Sequence, residues 1–146
     1  TRIQFQSSRS KQEGTMAESL ITLAKAYLEH IEQGNTDAVI GCYAPHAVQI
    51  ELPNRLKAKG DRRGVAQMAA DLEKSRTLLS NQSYEVLEYA ERGCYLIVEV
   101  NWRGTLAVPV GTLAAGNEMV AHSAIAFSFE DGKIVRQRNY DCFEEF

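Results

Sequence analysis

Phe127-Ser128-Phe129-Glu130-Asp131-Gly132-Lys133-Ile134-Val135 decides the fold when read beside Ala26-Tyr27-Leu28-Glu29-His30-Ile31-Glu32-Gln33-Gly34-Asn35-Thr36-Asp37. In the first block, Asp131-Gly132 is the two-residue turn of a tight hairpin, flanked by alternating apolar residues. The second block is the end of an amphipathic helix, stopped by Gly34-Asn35. A helix therefore opens the fold and a long hairpin closes it. The strands between them have enough length to curl around a pocket.

Working outward from the helix, Leu20, Leu23, Ala24, Tyr27, Leu28 and Ile31 form one stripe of a helix predicted from Met16 to Gln33. A short second helix follows, capped by Asn35 or Thr36, with Val39, Ile40 and Tyr43 inward and Pro45 ending it. Ala47 to Leu52 then alternates as a strand. Val48, Ile50 and Leu52 point one way, Gln49 and Glu51 the other, and Pro53 closes it. The basic stretch Arg55 to Arg63 reads as a solvated loop. A third helix, about Gly64 to Leu79, carries the stripe Val65, Met68, Ala69, Leu72 and Leu79, from which Met68 and Leu72 are candidate pocket walls. Four strands complete the chain: Tyr84–Ala90, Cys94–Val108, Glu118–Phe129 and Lys133–Phe143. Helices first and strands later is an α+β order, not a series of βαβ units.

The chain of 146 residues suits one domain, expected over residues 16–146, with Thr1 to Thr15 a flexible polar tail. Met16 reads as the natural start. A net charge of -3 argues against nucleic acid as a partner, since a phosphate-binding face needs clustered Lys and Arg. No apolar run approaches the roughly 18 residues of a membrane span. Cys42, Cys94 and Cys142 are widely spaced and odd in number, which fits free thiols and a cytoplasmic setting. They have no partner motif for nucleophilic catalysis. His30, His46 and His122 lack metal-ligand spacing, and no dinucleotide or phosphate loop is present, so neither metal nor organic cofactor is expected.

Tyr27 to Asp37, Tyr43-Ala44-Pro45-His46-Ala47-Val48 and Phe127 to Tyr140 together resemble the nuclear transport factor 2-like superfamily. That superfamily includes ketosteroid isomerases, SnoaL-type polyketide cyclases and limonene epoxide hydrolases. The resemblance covers about Met16 to Phe143. It implies a cystatin-like α+β roll, with N-terminal helices packed on a curved, mainly antiparallel sheet that encloses a pocket. It also implies a homodimer built on the outer sheet face and a small apolar ligand or substrate. Against the isomerase pattern, Tyr27 matches the tyrosine that hydrogen-bonds the developing enolate, and Glu51 falls near the proton-moving carboxylate. Ile125 stands where that pattern has a second, acidic oxyanion donor. Against the hydrolase pattern, Glu99, Asn101 and Asn139 replace the arginine and two aspartates. In SnoaL-type cyclases one acid works in an apolar pocket, a role open to Glu51 or Asp141.

The candidate catalytic residues are thus Glu51 and Tyr27. A carboxylate on the pocket face of a strand is desolvated and its pKa rises towards a general base's range. Gln137, Asn139 and Asp141 share one face of the last strand and are candidates for orienting a substrate. On strand 94–108 the two family patterns disagree about which face is inward. Alternation favours Val98, Val100 and Trp102 over Glu99, Asn101 and Arg103, because burying an unpaired Glu99 is costly. Val100, Trp102, Ile125 and Phe127 are therefore expected to line the pocket, with His122 outside. Two functions remain open. One is an acid/base isomerase, cyclase or hydratase; the other is a non-catalytic ligand-binding or assembly module.

Overall fold

A computed structural model describes residues 18–146; the expected tail Thr1–Thr15 and the start at Met16 lie outside the described residues. Helix α1 spans Leu20–Glu32 and buries Ile21, Ala24, Tyr27, Leu28 and Ile31. The Ser19 side chain caps it by accepting from the Thr22 N–H, and Glu91 accepts from the Ile21 N–H at 2.9 Å. These two acceptors satisfy amide groups that a helix start leaves unpaired. Gly34, with φ of +67°, supplies the left-handed turn that ends this segment. Helix α2, Thr36–Gly41, follows at once with Asn35 as its cap.

Strand β1 covers Tyr43–Glu51, starting earlier than the alternation from Ala47 suggests. Tyr43 is therefore a strand residue, not the inward residue of a helix. The reason lies in Pro45, which disfavours helical geometry at Ala44 and turns the chain extended. A register shift between Tyr43 and Val48 accommodates the proline. Strand β2, Asp61–Arg63, forms in the stretch read as a loop and pairs antiparallel with β1. Gly60 makes this return possible: a Cβ there would lie 2.4 Å from the Glu51 carbonyl oxygen. Helix α3, Val65–Leu78, runs directly into β3, Leu79–Arg92. Strands β4 (Tyr95–Leu106), β5 (Glu118–Glu130) and β6 (Lys133–Phe143) follow.

The six strands form one sheet in the order β2-β1-β6-β5-β4-β3. All neighbours are antiparallel except β1 and β6. The expected α+β roll is therefore present, with the helices packed on one face. Leu96, Val98 and Val100 from β4 and Ile125, Phe127 and Phe129 from β5 are buried beneath them. The β4 alternation resolves as expected, with Glu99 and Arg103 outside. Each buried aliphatic or aromatic side chain contributes about 1.5–3 kcal/mol, and the opposite phase would bury charge instead. His122 is on the outer face, between Asn101 at 2.7 Å and Glu144 at 2.8 Å. Among the described residues no helix is long and apolar enough to cross a membrane.

Candidate functional site

Between the inner sheet face and the helices lies a cavity of about 360 Å³. Its apolar wall includes Ile31, Met68, Leu72, Trp102, Ile125 and Leu106. Trp102 is held in place by its indole N–H, which donates to Gln82 Oε1 at 3.0 Å. Of the residues singled out from sequence, Tyr27, Glu51, Asn139, Asp141, Trp102, Ile125, Met68 and Leu72 line this cavity. Val100, Phe127 and Gln137 do not. Val100 and Phe127 sit in the core, where the Tyr27 ring meets Phe127 edge-on at 5.7 Å between centroids. Their strand phase is inward as expected, but α1 covers that part of the inner face. Gln137 shares the inner face of β6, yet at 1% exposure it lies behind the wall.

What Gln137 does there is bind two tyrosines. The Tyr27 and Tyr43 hydroxyl oxygens are 2.7 Å apart, Tyr43 donates to Gln137 Oε1, and Gln137 Nε2 donates to Tyr27 Oη at 3.2 Å. The Tyr43 hydroxyl donates towards both Tyr27 Oη and Gln137 Oε1, and Tyr27 Oη accepts from Tyr43 and from Gln137 Nε2. These three contacts close a ring. The second Gln137 N–H goes to Asn139 Oδ1 at 2.9 Å, which leaves the Asn139 amide N–H groups for the cavity. Burial raises the pKa of both phenols, Tyr43 well above its ordinary value, so both hold their hydrogens at any physiological pH. Tyr27 also lines the cavity, and its hydroxyl oxygen is the acceptor in its contacts with both Tyr43 and Gln137.

Asp141 and Tyr84 have a different relation to the cavity. Both line it. Desolvation raises the Asp141 pKa, against the lowering effects of the Ser123 hydroxyl and the Arg63 charge. Ser123 Oγ donates to Asp141 Oδ1 at 2.7 Å and fixes the carboxylate. Burial, followed by the charges of Tyr27 and Asp141, raises the pKa of Tyr84 far above the usual phenol value. A phenol thus lines the same space as a half-dry carboxylate.

Glu51, also on the wall, is held among cations. Its Oε1 is 3.6 Å from Arg63 Nη2 and its Oε2 is 3.8 Å from Lys57 Nζ. Arg63 in turn meets Asp71 at 3.0 Å. Desolvation pushes the Asp71 pKa up, but hydrogen bonds from Gln67 and Arg63 outweigh it and the net shift is downward. Among the described residues no group of three or more His, Cys, Asp or Glu side chains is placed to hold a metal ion.

Sequence reading missed Arg63, Tyr84, Ser123 and Asp71. Arg63 lies in a three-residue strand, too short for any period. Tyr84 and Val86 do alternate with Glu85 and face inward, a signal the β3 sequence carried. A bulge between Val86 and Glu88 breaks that phase further along.

The family model described as SnoaL-like domain matches residues 24–137. No curated protein matches the chain significantly. Among solved structures, a proposed polyketide cyclase from Xanthomonas campestris pv. campestris is 23% identical, with a TM-score of 0.68 over 82% of this chain and 87% of that one. The proposed polyketide cyclase IdmH from Streptomyces antibioticus is 14% identical, with a TM-score of 0.70 over 83% and 90% of the two chains. An LEH-like epoxide hydrolase of M. tuberculosis is 16% identical, with a TM-score of 0.65 over 85% and 81%. At these identities the likeness establishes a common fold.

Proposed function

The chain belongs to the SnoaL-like domain family, and from that premise we propose that it is an acid/base enzyme acting on a small, mostly apolar molecule that carries an oxygen function. Isomerisation, cyclisation and hydration are the reaction types that fit, and none of them needs an organic cofactor. The observation that carries this reading is Asp141, a desolvated carboxylate in a largely apolar cavity that Tyr84 also lines. In this reading Asp141 removes a proton from carbon next to a carbonyl. The electron pair moves onto the carbonyl oxygen, where the Tyr84 O–H donates to the developing negative charge. Asn139 orients the substrate through its free amide hydrogens. The proton on Asp141 then returns at another carbon, so the enzyme ends as it began.

Asp141 fits this role better than Glu51, whose carboxylate lies between Arg63 and Lys57. Tyr84 fits the donor role better than Tyr27, whose oxygen is already engaged by Tyr43 and Gln137. The test is proton–deuterium exchange in D2O, followed by NMR, across a panel of small cyclic and unsaturated ketones. Asp141→Asn is expected to slow exchange by about 10²- to 10⁴-fold and Tyr84→Phe by about 10²-fold. Full exchange in Asp141→Asn overturns the mechanism.

A second reading, a non-catalytic binding module, draws on the closed Tyr27–Tyr43–Gln137 ring. That ring makes one side of the cavity fixed and chemically saturated. Tight binding of panel members without exchange in the unmodified protein supports this reading over the first.

A further inference from the structure

Two polar atoms of cavity-lining residues are left without a hydrogen bond, although Glu51 Oε2 lies 3.8 Å from Lys57 Nζ. Glu51 Oε2 and Arg63 Nε are both buried, and neither has a hydrogen-bond partner among the described residues. Arg63 is only 9% exposed and Glu51 side-chain exposure is 17%, so bulk water does not satisfy them freely. An orphaned buried donor or acceptor costs about 1–3 kcal/mol, and more when charged. In folded proteins such atoms nearly always have a partner, whether a protein group, an ordered water or a bound ligand. Both residues line the cavity and touch each other through Glu51 Oε1 and Arg63 Nη2. They lie on the β1–β2 side of the cavity, where Glu51 pairs with Asn139 across the parallel β1–β6 contact.

The chemistry of the two orphans selects what fits. Glu51 Oε2 accepts only and Arg63 Nε–H donates only. A carboxylate ligand would satisfy Arg63 and repel Glu51. An ammonium would satisfy Glu51 and repel Arg63. A hydroxyl does both, donating to one and accepting from the other. Charge agrees with this choice. Three carboxylates (Glu51, Asp61, Asp71) face two cations (Lys57, Arg63), so the cluster carries one net negative charge and disfavours an anion. We propose that this end of the cavity is a second polar subsite that takes a neutral hydroxyl group of the ligand, donated to Glu51 Oε2 and accepting from Arg63 Nε. The proposal rests on the cavity being a small-molecule site, and it narrows the substrate class to apolar molecules with a hydroxyl remote from the reacting carbon. Asp71 and Gln67 act on it from α3: Gln67 Nε2 donates to Asp71 Oδ1 at 2.8 Å, and Asp71 Oδ2 holds Arg63 Nη1 at 3.0 Å.

Isothermal titration with 2-naphthol, 2-methylnaphthalene and 2-naphthoate tests it, since the three share one apolar body. The quantity read is the ratio of the 2-methylnaphthalene Kd to the 2-naphthol Kd, so the shared apolar contribution cancels. Glu51→Gln, which keeps the shape and removes the charge, is expected to lower that ratio about tenfold. Arg63→Lys, which keeps the charge and removes the Nε donor, is expected to lower it as well. The unmodified protein is expected to bind 2-naphthoate more weakly than 2-naphthol. A ratio unchanged in both variants overturns the subsite and leaves the cavity as a ligand site. Tighter binding of 2-naphthoate overturns it too. Failure of all three compounds to bind overturns the small-molecule reading and the subsite together.

Discussion

Replacing Tyr27 by Phe removes one oxygen from a ring of three contacts and leaves its two neighbours short of a partner. The variant loses the 2.7 Å contact with Tyr43 and the 3.2 Å contact from Gln137 Nε2. Each neutral hydrogen bond is worth about 0.5–1.5 kcal/mol net, and the stranded Gln137 N–H adds to the loss because it is buried. The expected destabilisation is about 2 kcal/mol. At this chain length each kcal/mol moves Tm by roughly 3–5 °C, so a fall of roughly 6–10 °C is expected. Tyr43→Phe loses the same shared contact and its bond to Gln137, and is expected to cost a similar amount. The double variant loses the shared contact only once. Its cost therefore falls below the sum of the single costs by the worth of that contact, about 1 kcal/mol, and by more if the ring hydrogen bonds strengthen one another. Urea unfolding of the four proteins measures this cycle directly, provided the m-values agree. Additivity within about 0.5 kcal/mol refutes the ring.

Two further expectations concern the same cavity. Burial raises the Asp141 pKa, so the folded chain keeps that proton to higher pH than the unfolded chain does. The group therefore lowers stability as pH rises from the ordinary carboxylate value through its raised folded pKa, and its cost is complete only above that pKa. Asp141→Asn, which can still accept from Ser123, is expected to be more stable than the unmodified protein at pH 7. That gain fades as pH falls towards the ordinary carboxylate value of about 3.9 and is absent below it, and unfolding curves showing no gain at pH 7 refute it. Gly104 stands against the wall residue Trp102: a Cβ there would lie 2.5 Å from Trp102 Cζ2 and Cη2 and 3.0 Å from Leu79 Cδ2. Gly104→Ala is expected to cost about 1–3 kcal/mol and to shift the emission of the chain's single tryptophan. Unchanged emission with unchanged stability counts against that packing.

The α1 stripe, the Asp131-Gly132 turn and the inward phase of Val98, Val100 and Trp102 were legible in the chain. Each is a periodicity or a turn that one segment encodes by itself, and burial of apolar area enforces it wherever the segment packs. That was enough to determine the α+β roll and to bring Tyr27, Glu51, Asn139 and Asp141 to a common wall. Tertiary structure decided what those groups are free to do. The parallel β1–β6 pairing, formed between segments distant in sequence, puts Gln137 against Tyr43 and Tyr27 and so engages the Tyr27 hydroxyl oxygen. The short β2 carries Arg63 to Glu51, and β5 carries Ser123 to Asp141. Hydrogen-bond partners and desolvation depend on neighbours across the sheet, and no spacing along a single strand specifies them. The sequence by itself therefore determined the container and most of its polar inventory, while the lateral contacts of the sheet decided which hydrogens and charges face the cavity.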